Sequence, residues 1–199
     1  MFVTCLDMEG VLTPEIWINV AEKTGIEKLK LTTRDISDYD ELMQIRLKVL
    51  AENNLTLKDI QDVIATMDPL PGAVEFLDWL RGECQVVILS DTFVEFAKPL
   101  IEKMKMPTIF CHSLVIEDGK IANYKLRIKD HKRKSVEAFR SLNFQTIAAG
   151  DSFNDLSMLQ AADHGAFFRP PAEIASQYPD LPVTHEFADF RKLLAGFLP

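Results

Sequence analysis

Three short polar clusters in this chain carry residue types suited to phosphate and metal chemistry, and each follows directly on an apolar run of strand length. In a parallel sheet the carboxyl ends of the strands meet at one edge, so we expect the clusters to lie together. Each cluster alone is also typical of a strand-to-helix corner. Crowded carboxylates repel one another unless a hard cation joins them, and oxygen ligands without His or Cys indicate magnesium. The clusters are Asp7-Met8-Glu9-Gly10, Ser90-Asp91-Thr92 and Gly150-Asp151-Ser152-Phe153-Asn154-Asp155.

The first cluster predicts a nucleophile and an acid–base group. A metal held by Asp7 and Asp151 would reduce the repulsion between an anionic nucleophile and a phosphate ester, and would orient the ester for in-line attack. Asp7 is then the candidate nucleophile, through an aspartyl-phosphate. Glu9 is the candidate general acid, which protonates the leaving alkoxide and then deprotonates water. The alternative for Glu9 is a solvated turn acid.

Phosphoryl oxygens also need hydrogen-bond donors and a cation. Ser90 ends an apolar run and is a candidate donor, although it is equally suited to cap the helix that follows. The basic run 129–134 is typical of a solvated face. Helical spacing places only Lys132 of this run on the apolar stripe of its helix, so we predict Lys132 as the cation, with Lys129 as the second choice.

Two charged residues upstream predict recognition of an amino acid. Arg46 lies on one apolar helical face between Tyr39 and Leu50, where an inward guanidinium would need an anion such as a carboxylate. The alternative is that Arg46 only extends to the rim. Glu15 could pair with an ammonium group, or simply lie favourably in the first turn of a helix. Together Arg46 and Glu15 would recognise an α-amino acid zwitterion.

The elements that position these residues are predicted from short apolar runs alternating with amphipathic segments. This alternation is typical of an α/β fold with a doubly wound parallel sheet. Asp118-Gly119 predicts a β-hairpin over Leu114–Tyr124. The predicted strands are Phe2–Leu6, Gln85–Leu89, Thr108–Cys111, Gln145–Ala149 and Gly165–Phe168; the predicted helices are Gly72–Arg81, with Gly82 as its C-cap, Phe93–Met104, Lys132–Leu142 and Asn154–Ala162.

The stretch 14–68 breaks the alternation, because it contains helical patterns and no convincing strand. Thr13-Pro14-Glu15 predicts a helix start and Gly25 its end. Tyr39–Ala51 and Thr56–Met67 are two further predicted helices, the last opened by a capping Thr. We therefore predict a small helical cap, residues 14–68, inserted after the first strand of a core formed by residues 1–13 and 69–199.

Composition limits the partners of the protein. The chain has 199 residues and a formal net charge of −8, which disfavours binding to nucleic acid or to anionic lipid surfaces. Its 3 cysteines are widely spaced and predict reduced thiols. The amino terminus lacks a signal-peptide pattern, and no apolar run is long enough for a membrane span. We predict a cytoplasmic protein with a small-molecule substrate; its oligomeric state stays open.

These motifs resemble those of the haloacid-dehalogenase-like phosphatases, and among them the phosphoserine phosphatase family. Asp7-Met8-Glu9-Gly10-Val11 is similar to the first motif of the family and Leu89-Ser90-Asp91-Thr92 to the second. Lys132 corresponds to the third motif, and Gly150-Asp151-Ser152-Phe153-Asn154-Asp155 to the fourth. Four ordered motifs cover essentially the whole chain. The resemblance implies the family's Rossmann-like core and a small cap.

The resemblance also implies residue roles. Asp7 would be the nucleophile, Glu9 the acid–base residue and a Mg²⁺ ligand through its backbone carbonyl, and Asp151 a Mg²⁺ ligand. Asp155 would hold a metal-bound water. The residues implied around the phosphoryl group are Ser90, Asp91, Lys132 and Asn154, and those implied at the serine amino and carboxylate groups are Glu15 and Arg46.

One departure from the family is informative, because the acid–base position usually holds Asp and here holds Glu9. This resembles the bifunctional branch that also transfers the phosphoryl group from phosphoserine to L-homoserine. A glutamate carboxyl lies roughly 1.3 Å further from its Cα than an aspartate carboxyl. The added length could leave room for an acceptor larger than water.

Other functions remain open at this point. A related capped phosphatase could act on another phosphomonoester, such as a sugar phosphate of methionine salvage. A receiver-type phospho-acceptor module also gathers carboxylates and a lysine around magnesium, but it is shorter and has no helical insert. A binding protein without catalysis is a further alternative, although every expected catalytic residue type is present.

Overall fold

The computed structural model describes residues 1–33, 35–36 and 38–198, and a seven-stranded sheet forms the centre of that part of the chain. Its strands are β1 Phe2–Leu6, β2 Gln85–Phe93, β3 Thr108–Glu117, β4 Lys120–Lys125, β5 Gln145–Gly150, β6 His164–Phe168 and β7 Val183–Thr184. The strand order is β4-β3-β2-β1-β5-β6-β7, parallel throughout except for the β3–β4 hairpin. The predicted doubly wound α/β fold and the predicted hairpin are confirmed.

Helices cover both faces of the sheet. They are α1 Ile16–Thr24, α2 Tyr39–Glu52, α3 Leu57–Ala65, α4 Ala73–Glu83, α5 Val94–Lys103, α6 His131–Ser141, α7 Leu156–Ala161, α8 Ala172–Gln177 and α9 Phe187–Ala195. One hydrophobic cluster joins α1–α5 and α9 to the sheet, and a second joins α6–α8 to its other face. The two short 3-10 turns are Glu27–Lys30 and Phe153–Asp155.

The predicted insert, residues 14–68, contains α1, α2 and α3, with no strand among its described residues. It is fastened to the sheet by the backbone amide of Leu57, which donates to the Gly119 carbonyl at 2.9 Å. Gln61 Nε2 also donates to the Glu95 carbonyl at 2.8 Å, and Tyr39 Oη donates to the Asp91 carbonyl at 3.0 Å. These bonds hold the insert over the carboxyl ends of the central strands.

Several predicted boundaries are wrong. The helix predicted to open at Thr13-Pro14-Glu15 begins at Ile16. The Ile16 amide has no partner within the helix and donates to the Glu9 carboxylate, so Thr13 does not cap the helix. Gly82 does not end α4, which continues to Glu83. The C-cap at Gly25 is confirmed in the left-handed region with φ 70°.

The strand predicted to end at Leu89 continues to Phe93. Its pairing with β3 shifts between Leu89 and Phe93, so this irregular stretch carries Ser90, Asp91 and Thr92 within the strand. Helix α5 then begins at Val94, which means that Ser90 is not its N-cap. The strand β7 and the helices α8 and α9 were not predicted, and α7 is shorter than predicted because its first turn is the 3-10 turn Phe153–Asp155.

No helix within the described residues combines the length and the apolar character needed to cross a membrane.

Candidate active site

The three polar clusters meet in one cleft of about 900 Å³ between the sheet edge and the insert. This meeting follows from the topology, because β2, β1 and β5 are neighbours and parallel. All predicted site residues except Asp155 line the cleft, and Asp155 is fully buried directly beneath it. The lining members are Asp7, Glu9, Glu15, Arg46, Ser90, Asp91, Lys132, Asp151 and Asn154.

Asp7 lies directly after β1, where its amide donates to the Ala149 carbonyl at 2.9 Å. Its Oδ1 accepts from the Met8 amide at 2.7 Å and lies 2.9 Å from Lys132 Nζ. Burial raises the pKa of the Asp7 carboxyl well above its usual range; neighbouring Asp155 and Asp151 raise the pKa further, and Lys132 opposes them. The Asp7 carboxylate is thus held in one orientation within a region of excess negative charge.

Lys132 is the central cation of the site and is 3% exposed. Its Nζ lies 2.7 Å from Asp155 Oδ1, 2.9 Å from Asp7 Oδ1 and 3.3 Å from Asp91 Oδ2. Burial alone would lower the pKa of Lys132, but these carboxylates together raise it well above its ordinary value. Lys129, the second choice, is exposed at the cleft wall.

Three carboxylates form a cluster that could hold a metal ion. Oxygens of Asp7, Asp151 and Asp155 all lie within 4.8 Å of one another, and all three residues are buried. Asp155 Oδ2 accepts from the amides of Asp151 and Ser152, each at 3.1 Å. The donor set is all oxygen and carries more negative charge than Lys132 neutralises, so it fits a hard divalent cation.

Two glycines make this close packing possible. A Cβ on Gly10 would lie 2.5 Å from Asp151 Cγ, and Gly10 has φ +80°. A Cβ on Gly150 would lie 2.3 Å from Asp155 Cγ. Side chains at either position would therefore displace a carboxylate of the cluster.

Ser90 and Asn154 add polar groups at the same end of the cleft. Ser90 is 1% exposed, and its Oγ accepts from the Thr92 amide at 3.2 Å. Asn154 Nδ2 donates to Asp91 Oδ2 at 2.9 Å. Both residues line the cleft together with Asp7 and Asp151.

Glu9 is half-buried and does not have the surroundings of a solvated turn acid. Its Oε2 accepts from the Ile16 amide at 2.8 Å, at the positive end of α1. Burial, with the neighbouring charge of Glu15, raises the pKa of Glu9 to about 8, against the opposing effects of the Ile16 hydrogen bond and Arg46. Such a carboxyl holds its proton near neutral pH, as a general acid must.

Arg46 lines the cleft from α2, in the predicted insert, and is 7% exposed, so it does not merely extend to the rim. Its guanidinium stacks 4.6 Å above the Trp17 ring centroid, and Nη2 donates to the Leu31 carbonyl at 3.0 Å. Its Nε is buried without a hydrogen-bond partner among the described residues. Burial lowers the pKa of Arg46 to about 10. Glu15 lines the same cleft.

Sequence reasoning missed two histidines beside the cleft. His131 Nε2 lies 3.1 Å from Asp91 Oδ1, and His112 Nε2 lies 3.4 Å from the same oxygen. A signal existed for His112, because it follows the predicted strand Thr108–Cys111 as the other polar residues follow theirs. His131 was passed over as part of the basic run.

Comparison with known proteins agrees with this geometry. The family model of haloacid dehalogenase-like hydrolases matches residues 4–163. The chain is 55% identical over 193 residues to phosphoserine phosphatase ThrH of Pseudomonas aeruginosa, with 96% of this chain and 94% of that protein covered. It is 54% identical to a phosphoserine phosphatase of Pseudomonas syringae pv. tomato, with 96% of this chain and 81% of that protein covered. The chain belongs to the haloacid dehalogenase-like hydrolases.

Solved structures share the fold. A phosphoserine phosphatase crystallised in apo form has a TM-score of 0.79 at 21% identity, and 98% of each chain is covered. A phospho-aspartyl intermediate analogue of phosphoserine phosphatase has a TM-score of 0.80 at 18% identity, with 96% of this chain and 98% of that chain covered. At these identities the likeness concerns the fold alone.

Proposed function

We propose that this enzyme hydrolyses O-phospho-L-serine to L-serine and phosphate. The observation that carries the proposal is the pairing, in one cleft, of a buried Asp7–Lys132 centre with Arg46 and Glu15 at the other end. One end suits a phosphoryl group and the other an amino acid zwitterion. The names of the two Pseudomonas relatives support the same substrate.

The proposed reaction has two steps. Asp7 attacks phosphorus, the bond from phosphorus to the serine oxygen breaks, and Glu9 gives its proton to the leaving oxygen. Glu9, now a carboxylate, takes a proton from water as that water attacks the aspartyl-phosphate. Phosphate leaves and Asp7 is restored. Lys132, Ser90, Asp91 and Asn154 are the proposed surroundings of the phosphoryl group.

We propose Mg²⁺ as the cofactor. Asp7, Asp151 and the Glu9 backbone carbonyl would hold it directly, and Asp155 would hold it through water. When bound, the ion neutralises charge and orients the phosphoryl group for attack. The all-oxygen donor set and the raised pKa of Asp7 support a divalent cation at this place.

Residues 14–68 are the proposed substrate-recognition cap over a core of residues 1–13 and 69–199. In this proposal Arg46 binds the substrate carboxylate and Glu15 its ammonium. The stacked Trp17 supports this role, because it holds the Arg46 guanidinium while leaving Nε without a partner among the described residues. A buried guanidinium of this kind favours a planar anion as its ligand.

Transfer of the phosphoryl group to L-homoserine is a second proposed activity, motivated by Glu9 in place of Asp. The Glu9 carboxylate accepts from the first amide of α1 at 2.8 Å, and an aspartate carboxylate would be one methylene shorter. This retraction towards the insert would admit an acceptor alcohol in place of water. Radiolabelled phosphoserine with homoserine present tests it: labelled phosphohomoserine is expected, and label found only as free phosphate refutes it.

A phosphate-release screen across small phosphomonoesters, with Mg²⁺, tests the main proposal. Phosphoserine should exceed sugar phosphates and phosphomonoesters that lack a carboxylate. Preference for a sugar phosphate would favour the other capped phosphatase, and an aspartyl-phosphate lasting minutes would favour the receiver-type module. Comparable rates for all substrates would contradict the specific role of Arg46 and Glu15.

We also propose a cytoplasmic location and a small-molecule substrate, with no nucleic-acid or membrane partner. The three cysteines carry free thiols, and burial raises the pKa of Cys5 to about 12, which suits unreactive core thiols in a reducing compartment. Cell fractionation followed by immunoblotting tests the location. Recovery in the membrane fraction would contradict it.

A further inference from the structure

A second group of titratable side chains surrounds the carboxylate of Asp91. His131 and His112 approach Asp91 Oδ1 through their Nε2 atoms at 3.1 and 3.4 Å. On the other side, Asp91 Oδ2 accepts from Asn154 Nδ2 at 2.9 Å and faces Lys132 Nζ at 3.3 Å. Strands β2 and β3, the start of α6 and the 3-10 turn before α7 therefore converge on one carboxylate.

Hydrogen bonding assigns the proton positions of the two imidazoles. The backbone amide of Arg127 donates to His112 Nδ1 at 3.2 Å, so Nδ1 is the acceptor and Nε2 is the nitrogen that carries a proton. His131 is 2% exposed, and burial lowers its pKa although Asp91 opposes this effect. Its Nδ1 has no hydrogen-bond partner among the described residues, which leaves Nε2 as the nitrogen that donates to Asp91.

These contacts place donors of the protein against both oxygens of the Asp91 carboxylate. A carboxylate has about four acceptor positions. Asn154 hydrogen-bonds to one oxygen and His131 to the other, and His112 Nε2 and Lys132 Nζ lie at 3.4 and 3.3 Å. The carboxylate thus faces donors of the protein on both sides, and an anion gains nothing by facing phosphoryl oxygens.

We propose that Asp91 is a positioning residue, clamped by His112 and His131, that orients Asn154 and Lys132 towards the phosphoryl group. The inference rests on the proposed function and refines the role of Asp91 within it. The clamp matters because Lys132 also holds the Asp7 carboxylate, at 2.9 Å. A shift of the ammonium group would therefore misalign the nucleophile and the phosphoryl group together.

The same three residues resemble a metal site, since two His and one Asp have potential ligand atoms within 4.8 Å of one another. A metal on His112 Nε2 would require a proton on Nδ1, because a ligating imidazole donates through its other nitrogen. The Arg127 N–H already points at that nitrogen. The geometry therefore favours a hydrogen-bonded clamp over a metal site.

Matched substitutions of the histidines test the clamp. Glutamine can place an N–H donor near the position of the imidazole Nε2, whereas phenylalanine keeps a ring and removes the donor. We would compare His131→Gln with His131→Phe, and His112→Gln with His112→Phe, using the exposed His185→Gln as control. Steady-state kinetics with phosphoserine would give kcat and KM, and thermal unfolding would monitor the fold.

The phenylalanine variants should lower kcat by about 10- to 100-fold, because displacement of groups by ~1 Å at a reacting centre has effects of this size. KM should change by less than about threefold, since Arg46 and Glu15 are untouched. The glutamine variants and the control should keep kcat within about threefold of wild type. Wild-type kcat in both phenylalanine variants would overturn the proposal, as would equal losses in the Gln and Phe variants.

Nitrogen-detected NMR of the histidine rings gives a readout that does not depend on activity or on whether a variant folds. In the wild-type protein, both rings should carry a proton on Nε2, and His112 Nδ1 should be an acceptor without a proton. A His112 proton on Nδ1, or stoichiometric binding of added Zn²⁺ at these rings, would overturn the clamp. Wild-type protein that releases no phosphate from phosphoserine would refute the proposed function. In that case the NMR spectra of the rings would still show whether His112 and His131 donate to Asp91 through Nε2.

Discussion

The two ends of the cleft differ in how their charged groups are satisfied. At the proposed phosphoryl end, Lys132 is surrounded by Asp7, Asp91 and Asp155, and the Asp91 carboxylate has further hydrogen-bond donors beside it. At the recognition end, the buried Arg46 has one backbone acceptor, a weak contact to Met43 sulfur and an aromatic ring beneath it. The Lys132 ammonium group is thus satisfied by carboxylates of the protein, whereas the Arg46 guanidinium keeps hydrogen-bonding capacity at Nε.

The two ends are also positioned by different parts of the fold. At the phosphoryl end, Asp7 and Asp151 directly follow the paired parallel strands β1 and β5, whose register fixes the backbone beside them. The proposed recognition end lies on helices: Trp17 is in α1 and Arg46 in α2, and these helices pack on the sheet through one hydrophobic cluster and the Tyr39–Asp91 hydrogen bond. Substitutions at the first end should therefore alter turnover, and substitutions at the second should alter substrate choice.

The largest effect is expected for Asp7→Asn, which removes the proposed nucleophile. Turnover of phosphoserine should fall by about 10³-fold or more, measured as phosphate release. The fold should survive, because the change removes a buried carboxylate whose pKa is already raised by burial and by Asp155. The exposed Asp180→Asn is the matched control. Residual activity within tenfold of wild type would remove Asp7 from its role.

Metal removal should have the next largest effect at the phosphoryl end. A chelator should abolish phosphate release, and added Mg²⁺ should restore it, because the carboxylates of the cluster outnumber the one ammonium group beside them. Asp151→Asn should require a higher Mg²⁺ concentration for half-maximal rate, and Mg²⁺ should raise the Tm of the wild-type protein more than that of the variant. An unchanged rate in excess chelator would contradict the proposed cofactor.

Arg46→Ala tests the recognition end. Loss of a charged hydrogen-bonding partner corresponds to about 2–3 kcal/mol, so kcat/KM for phosphoserine should fall roughly 30- to 150-fold. The rate with p-nitrophenyl phosphate, which has no carboxylate, should change little. Arg191, stacked 4.8 Å above Trp79, offers a matched control in a different part of the molecule. An equal fall in kcat/KM with both substrates would show that Arg46 does not bind the substrate carboxylate.

The smallest effect is expected for Thr56→Ala, which removes the capping box of α3. The free energy of unfolding, measured by urea denaturation, should fall by about 1 kcal/mol. The value of kcat should not change, since Thr56 and Asp59 lie away from the cleft. A large fall in kcat would mean that the stability of α3 affects turnover. It would contradict the expectation that substitutions in the predicted insert alter substrate choice and leave turnover unchanged.

Much of the site followed from local patterns. Polar clusters after apolar runs identified Asp7, Ser90 and Asp151, because parallel strands bring their carboxyl ends together. Helical spacing selected Lys132 from a run of cations and placed Arg46 on an apolar stripe, and both side chains are buried. Sequence periodicity predicts which side chains are buried, because the residues on one face of a helix recur every three or four positions along the chain.

Other features of the fold and site could not be predicted from short stretches of sequence. The extension of β2 through Asp91 depends on pairing with β3, and the start of α1 depends on Glu9, seven residues earlier. His112 and His131 meet Asp91 only because three elements distant in sequence are packed side by side. Contacts of this kind leave no periodic signal.

The sequence by itself therefore determined the fold class, the chemistry available at the sheet edge and the residue types on either side of the cleft. Local propensity and burial patterns are sufficient for those. The tertiary structure decided which charges are neutralised within the protein and which keep capacity for a ligand. That distinction depends on distances of about 3 Å between groups far apart in the chain, such as Lys132 Nζ and Asp7 Oδ1 at 2.9 Å, and only packing sets such distances.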